Sequence, residues 1–179
     1  MKHLLFIGLL GLATPHSLSA FSPSTQGYGE MLAPAASKGK PNAFEYKTYY
    51  NRSRMFKIDY PSFLTMGQGS QNGDGREFYG SGGIVLSVSS SYYTDLSISD
   101  RYYNEFADKS QYIEYKVLRP NWYVVSGTSR QTGKEFYKKV YYSNTYGDQI
   151  RTMSLEYPKS RMDDFDVIIP RLIQSFKDM

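Results

Sequence analysis

The sequence predicts an α+β domain, an antiparallel β-sheet flanked by helices, and three observations carry that prediction. From residue 43 on, short runs of alternating apolar and polar residues follow one another, separated by Gly, Asn, Asp and Pro. One stretch near residue 100 has helical spacing instead, and a second, amphipathic one closes the chain from Met162 to Phe176. Strands in series, with one helix among them and one after them, give a sheet with helices packed on it.

The chain opens with Lys2 and an apolar run of ten residues, Leu4 to Ala13. Thr14, Pro15 and His16 follow, and then the small-residue stretch Ser17-Leu18-Ser19-Ala20. This is the pattern of a cleavable secretory signal over residues 1–20, cut after Ser19 or Ala20. The run is too short for an anchor, and no later stretch nears the roughly 18 apolar residues a spanning helix needs. With no cysteine at the cleavage region, a lipoprotein anchor is not expected. The expected location is the periplasm or the exterior. Residues 21–42 are rich in Ser, Pro, Gly and Ala without periodicity and read as a flexible tail, ahead of a domain over 43–179.

Within the domain, Phe44 to Tyr50 and Met55 to Tyr60 alternate around a hairpin connection at Asn51-Arg52-Ser53-Arg54, and Pro61 closes the second strand. Gly67 to Gly75 reads as a loop leading into Glu77-Phe78-Tyr79. After the Gly82-Gly83 turn, Ile84, Leu86 and Val88 share one strand face, with Val85, Ser87 and Ser89 on the other. Ser97 or Ser99 can cap a helix starting near Asp100, whose apolar stripe would be Tyr103, Phe106 and Ala107. Four strands follow, about Ile113 to Leu118, Trp122 to Ser129, Glu135 to Tyr142 and Ile150 to Tyr157. Their turns are marked by Pro120-Asn121, Gln131-Thr132-Gly133 and Tyr146-Gly147-Asp148, and Pro158 ends the last strand. Met162, Phe165, Ile169, Leu172, Ile173 and Phe176 then recur at helical spacing. Pro170 is expected to kink or restart that helix, because its ring blocks the bond to the carbonyl of Asp166.

Composition narrows the chemistry. Both histidines, His3 and His16, lie in the signal, and the 179-residue chain has no cysteine. The exported form therefore lacks the side chain that titrates near neutral pH. Ser-His-Asp and Cys-His catalysis, histidine or thiolate zinc sites, haem attachment and disulfide exchange all fall away. The core has to suffice without disulfides, which a domain of this length can manage. Without Lys2, twenty basic residues stand against seventeen acidic ones. They are scattered among acids rather than gathered in a block, so no nucleic-acid partner is expected. Tyrosine is the unusual component, with eighteen residues, many in pairs such as Tyr49-Tyr50, Tyr92-Tyr93, Tyr102-Tyr103 and Tyr141-Tyr142. Strand neighbours point to opposite faces, so each strand pair sends one ring inward and one outward.

The catalytic and ligand motifs are weak. There is no Gly-x-Ser-x-Gly elbow, no Walker phosphate loop and no Gly-x-Gly-x-x-Gly run, and the only Ser-x-x-Lys, Ser37 to Lys40, lies in the tail. Asn72-Gly73-Asp74-Gly75 offers hard oxygens, but the twelfth position of a calcium loop starting there is Gly83 rather than Glu, so it reads as a turn. Asp163-Asp164-Phe165-Asp166 sits where carboxylates cap a helix and complement its dipole; a cation site or a glycosidase-type acid/base pair on Asp163 and Asp166 is the weaker alternative. No catalytic residue, metal or cofactor is assigned.

A series of short motifs resembles the PsbP-like superfamily over about residues 46–177: Tyr60-Pro61-Ser62-Phe63; Asn72-Gly73-Asp74-Gly75 with Phe78; Val125-Ser126-Gly127; Gly133-Lys134-Glu135-Phe136-Tyr137; and Ser175-Phe176-Lys177. The resemblance implies an α/β/α sandwich and a noncatalytic, adaptor-like domain that binds another protein. It carries over no functional residue, since the matching positions shape strands, turns and packing. The expected partner is another envelope protein, met by the outer sheet face and tyrosine-bearing loops. Tyr92, Tyr93, Trp122, Tyr123, Tyr141 and Tyr142 are the candidate anchors, because aromatic residues dominate such interfaces. The alternative is a glycan or cell-wall binding module, or a carboxylate-dependent hydrolase. It requires aromatic rings in one concave groove beside carboxylates and amides, where a protein interface is broader and flatter.

Overall fold

A computed structural model describes residues 44–107 and 109–179. The signal expected over 1–20 and the tail over 21–42 lie outside the described residues. In chain order the elements are β1 (Tyr46–Asn51), β2 (Phe56–Pro61), β3 (Thr65–Gly69), β4 (Gly75–Gly80), β5 (Ile84–Tyr92) and α1 (Ile98–Glu105). They continue with β6 (Gln111–Arg119), β7 (Trp122–Ser129), β8 (Glu135–Ser143), β9 (Gln149–Tyr157), a 3-10 turn (Lys159–Arg161), α2 (Met162–Ser175) and β10 (Lys177–Asp178). The fold is α+β and its strands pair antiparallel, but in two sheets rather than the single one expected. One is three-stranded, β1-β2-β10, and the other seven-stranded, β3-β4-β5-β9-β8-β7-β6.

Alternation along the strands builds two cores on opposite faces of the large sheet. The inward row of β5, Ile84, Leu86 and Val88, is fully buried, as the pattern predicts. It packs with Met153, Leu155 and Tyr157 of β9, with Phe56, Ile58 and Tyr60 of β2, and with Phe165, Ile168 and Leu172 of α2. The second core joins Ile98 and Tyr102 of α1 to Tyr123, Val125, Phe136, Val140 and Ile150. On β9, Ile150 belongs to one core and Met153 to the other, and residues of opposite parity on a strand point to opposite faces. Hence α1 covers one face and α2 with the small sheet the other.

Local physics explains where the elements differ from expectation. Ser97 is the cap of α1 in a reciprocal capping box: its hydroxyl accepts from the N–H of Asp100, whose carboxylate accepts from the N–H of Ser97. The helix begins two residues before the expected start, so Ile98 and Tyr102, four apart, form the buried stripe and Tyr103 points to solvent. Gly67 to Gly75 is only partly loop, because Thr65–Gly69 pairs with β4 through a register shift. That strand has no buried residue, so no alternation announces it. In the turn, Gly73 takes the expected left-handed conformation at φ +68°, whereas Gly75 has an ordinary φ and is required by the close approach of the Val88 carbonyl.

Two further corrections fall at the C-terminus. The helix runs through Pro170 to Ser175 without restarting. Phe176 lies beyond its end, where Lys177 and Asp178 pair antiparallel with Lys57 and Phe56. Asp163 and Asp164 occupy the first turn of α2 and complement its dipole, but the residue at the cap position is Arg161 and no side chain caps the helix.

Candidate functional site

On the face opposite α1, register places the side chains of four adjacent strands in a grid. Trp122 pairs with Tyr141, Val124 with Lys139 and Ser126 with Tyr137. On β6 the matching partners are Arg119, Val117 and Tyr115, and on β9 they are Arg151, Met153 and Leu155. Exposure rises across the grid from β9 to the edge. Arg151, Met153 and Leu155 are buried and Tyr137, Lys139 and Tyr141 half-buried; on β7 Trp122 and Ser126 are half-buried while Val124 is buried at 2% exposure, and on the edge strand Tyr115 and Arg119 are exposed. A sheet face that leaves the core still rich in Tyr and Trp is the unusual feature of the molecule.

The rings on this face are held by the core behind them. Tyr141 packs edge-on against Phe176 at 5.4 Å between centroids. The Arg119 guanidinium sits 5.8 Å from the Trp122 ring centroid and the Lys139 ammonium 5.7 Å from that of Tyr141. Asn121, Trp122, Lys139, Tyr141, Phe176, Lys177 and Asp178 together line an open cleft of about 440 Å³. Burial holds the Lys139 ammonium below the ordinary lysine range, and pushes the phenols of Tyr137 and Tyr141 well above the usual tyrosine range.

The six sequence candidates separate. Trp122 and Tyr141 come together as a cross-strand pair. Tyr123 does not join them: at 2% exposure it lies in the α1 core and donates to Glu105, which also pairs with Lys138, so it is not open to a partner. Tyr141 also contributes ring rather than hydroxyl, because its oxygen is buried without a hydrogen bond. Tyr93 and Tyr142 meet at the end of the sheet, whereas Tyr92 shares the parity of Ile84, Leu86 and Val88 and so faces the other side from Tyr142. The Tyr93 and Tyr142 rings are 5.4 Å apart, the Tyr142 hydroxyl donates to Asp148, and Arg54 lies over the Tyr92 ring at 4.5 Å. Sequence reasoning missed Tyr115, Val117, Arg119, Tyr137 and Lys139. Their signal was present as i, i+2 alternation on β6 and β8, but only the hairpin register sets these rows beside Trp122.

Buried phenols give a measurable pH response. Tyr123, Tyr137, Tyr141 and Tyr157 all have raised pKa values, each chiefly through burial, with Tyr157 pushed up to about 12. A raised phenol keeps its proton in the fold while the unfolded chain begins to lose it near 10, so stability falls above pH 10 and is unaffected below. Each such group contributes a slope of about 1.4 kcal/mol per pH unit. Urea midpoints measured from pH 8 to 12 are expected to be flat to about 10 and then to drop steeply; a flat profile to 12 contradicts the burial of these hydroxyls.

No protein-family model matches the chain, and no curated protein does. Solved structures do. The solution structure of cyanobacterial PsbP (CyanoP) from Synechocystis superposes with a TM-score of 0.55 at 15% identity, over 82% of this chain and 99% of that one. The Ran-binding protein Mog1p of Saccharomyces cerevisiae superposes with a TM-score of 0.52 at 10% identity, over 76% of this chain and 96% of that one. At these identities the likeness is one of fold, and the fold is the PsbP-like one that those two proteins share.

Proposed function

We propose that this chain is an exported, noncatalytic protein-binding domain of the cell envelope, a PsbP-like α/β/α sandwich that meets its partner with the β6–β8 face around Trp122 and Tyr141. The observation that carries the reading is the graded grid, in which aromatic rings continue past the core to an exposed edge strand. Such rings, fixed by packing and partly desolvated, are the usual anchors of a protein interface. The Tyr93–Tyr142 pair at the sheet end is a second, smaller contact. Residues 1–20 serve as the export signal. Asn121 and Asp178 beside Trp122 and Tyr141 favour the glycan alternative. The Asp178 carboxylate, however, is engaged by Arg151, Ser143 and Thr145, which leaves one amide for a sugar.

The test is affinity capture from envelope extract with the purified chain and with Trp122→Ala, beside a peptidoglycan pelleting arm. Loss of a hot-spot tryptophan costs 2 kcal/mol or more, about thirtyfold in affinity, so a partner is expected to be captured by the parent and lost by the variant. Capture indifferent to Trp122, or pelleting with the wall and no protein captured, overturns the reading.

A further inference from the structure

Lys139 is the most informative charge on the proposed face. Lysines are rarely taken out of water without a carboxylate partner, yet this half-buried ammonium has none among the described residues, and its neighbours in the grid are Val124, Met153, Tyr137 and Tyr141. The one carboxylate in the cleft, on Asp178, is neutralised by Arg151. The cleft carries Lys139 and Lys177, with Arg119 beside Trp122 at its rim, and among the described residues none of the three has a carboxylate in an ion pair.

The spacing of these cations is more specific than their sign. Arg119 lies on β6, and Lys139 lies two strands away on β8 and one row along. Strand separation and rise put their backbones about 12 Å apart. Trp122 and Val124 lie between them. Alternate side chains of an extended peptide are about 7 Å apart, so residues i and i+4 span about 13 Å on one side, with i+2 midway. We propose that the face recognises an extended acidic segment of the partner with carboxylates at i and i+4, on Arg119 and Lys139, and an aromatic or large apolar side chain at i+2, on Trp122. This rests on the protein-binding reading and adds the chemistry of the partner to it. A compact polyanion such as a phosphate fits less well, because the cations stand beside different rings, Arg119 by Trp122 and Lys139 by Tyr141, instead of converging on a point.

Trp122 is the only tryptophan, so its emission reports on this site alone. The probe is the capped peptide acetyl-Glu-Ser-Phe-Ser-Glu-amide, titrated into the full chain with tryptophan-selective excitation. Saturable change in Trp122 emission is expected, weakened at least tenfold when both glutamates are replaced by glutamine or made adjacent. Lys139→Met is expected to weaken binding about tenfold, while Lys139→Arg and the distant Lys159→Met leave it within twofold, with unchanged thermal midpoints showing that each variant is folded. No emission change at millimolar peptide, or equal binding of the glutamine peptide, overturns the proposal. Envelope capture separates the two levels. If a partner needs Trp122 but is indifferent to Lys139→Met, protein binding stands and acidic recognition falls; if it needs neither, both fall.

Discussion

Asp178→Asn is expected to lower the free energy of unfolding by about 3 kcal/mol, although the residue is the second from the end of the chain. Arg151 on β9 is wholly buried, with its guanidinium 5.4 Å from the Phe56 ring centroid and one nitrogen donating to the Arg54 carbonyl at 2.9 Å. Its only carboxylate partner among the described residues is Asp178, at 2.7 Å, in a close ion pair that lacks hydrogen-bond geometry. Arginine cannot shed its proton, so removing the carboxylate leaves a buried, uncompensated charge. Asparagine retains an oxygen for the Ser143 and Thr145 hydroxyls, which isolates the loss of charge. Asp178 is itself a quarter exposed, which places the cost at the lower end of the range for broken buried pairs. Urea unfolding is the measurement. The midpoint should fall with the slope unchanged, and adding Arg151→Met should restore much of the loss. A change below about 0.5 kcal/mol would mean that water already screens Arg151.

Gly127→Ala is expected to cost about 3 kcal/mol or more, by a different route. Opposite Gly127 the edge strand carries a bulge: Ile113 pairs with Gly127 and Tyr115 with Ser126, which leaves Glu114 as the extra residue. A methyl group on Gly127 would overlap the Tyr112 carbonyl oxygen and press on the Glu114 nitrogen, and both are backbone atoms that cannot rotate away. The bulged half of β6 must lift from β7, disturbing Tyr115 and the face it belongs to, so peptide binding at Trp122 should weaken as well. Gly133→Ala is the control. That residue sits at φ +65° with nothing within 4 Å of an added Cβ, so only the left-handed backbone is penalised, by roughly 1 kcal/mol. Equal losses for the two variants would show that the bulge yields easily.

These two positions mark the boundary of what the sequence conveys. Strands β7, β8 and β9 were legible to within a residue at each end, because β-branched and aromatic runs are bounded there by turn residues, and β5 was legible from its start, because its inward row alternates with half-buried residues. The start of α1 was legible in its capping residues and α2 in its apolar spacing. Strand β3 was not, since it buries nothing, and neither was β10, since two residues have no period. The site divides in the same way. Tyrosine and tryptophan marked the aromatic candidates, but not which of them would share a face: Trp122 and Tyr123 are neighbours in sequence and belong to opposite faces of one sheet.

The sequence by itself determined the α+β class, the run of most strands, the resemblance to the PsbP-like fold and the absence of cysteine chemistry, since all of these depend on residue type and local period. Only the tertiary structure decided that the strands divide into two sheets, that Asp178 returns to neutralise Arg151, and that Arg119, Trp122, Lys139 and Tyr141 share one face. Pairing register and the packing of α2 with the small sheet are contacts between residues far apart in the chain, and no local pattern encodes which of them will meet.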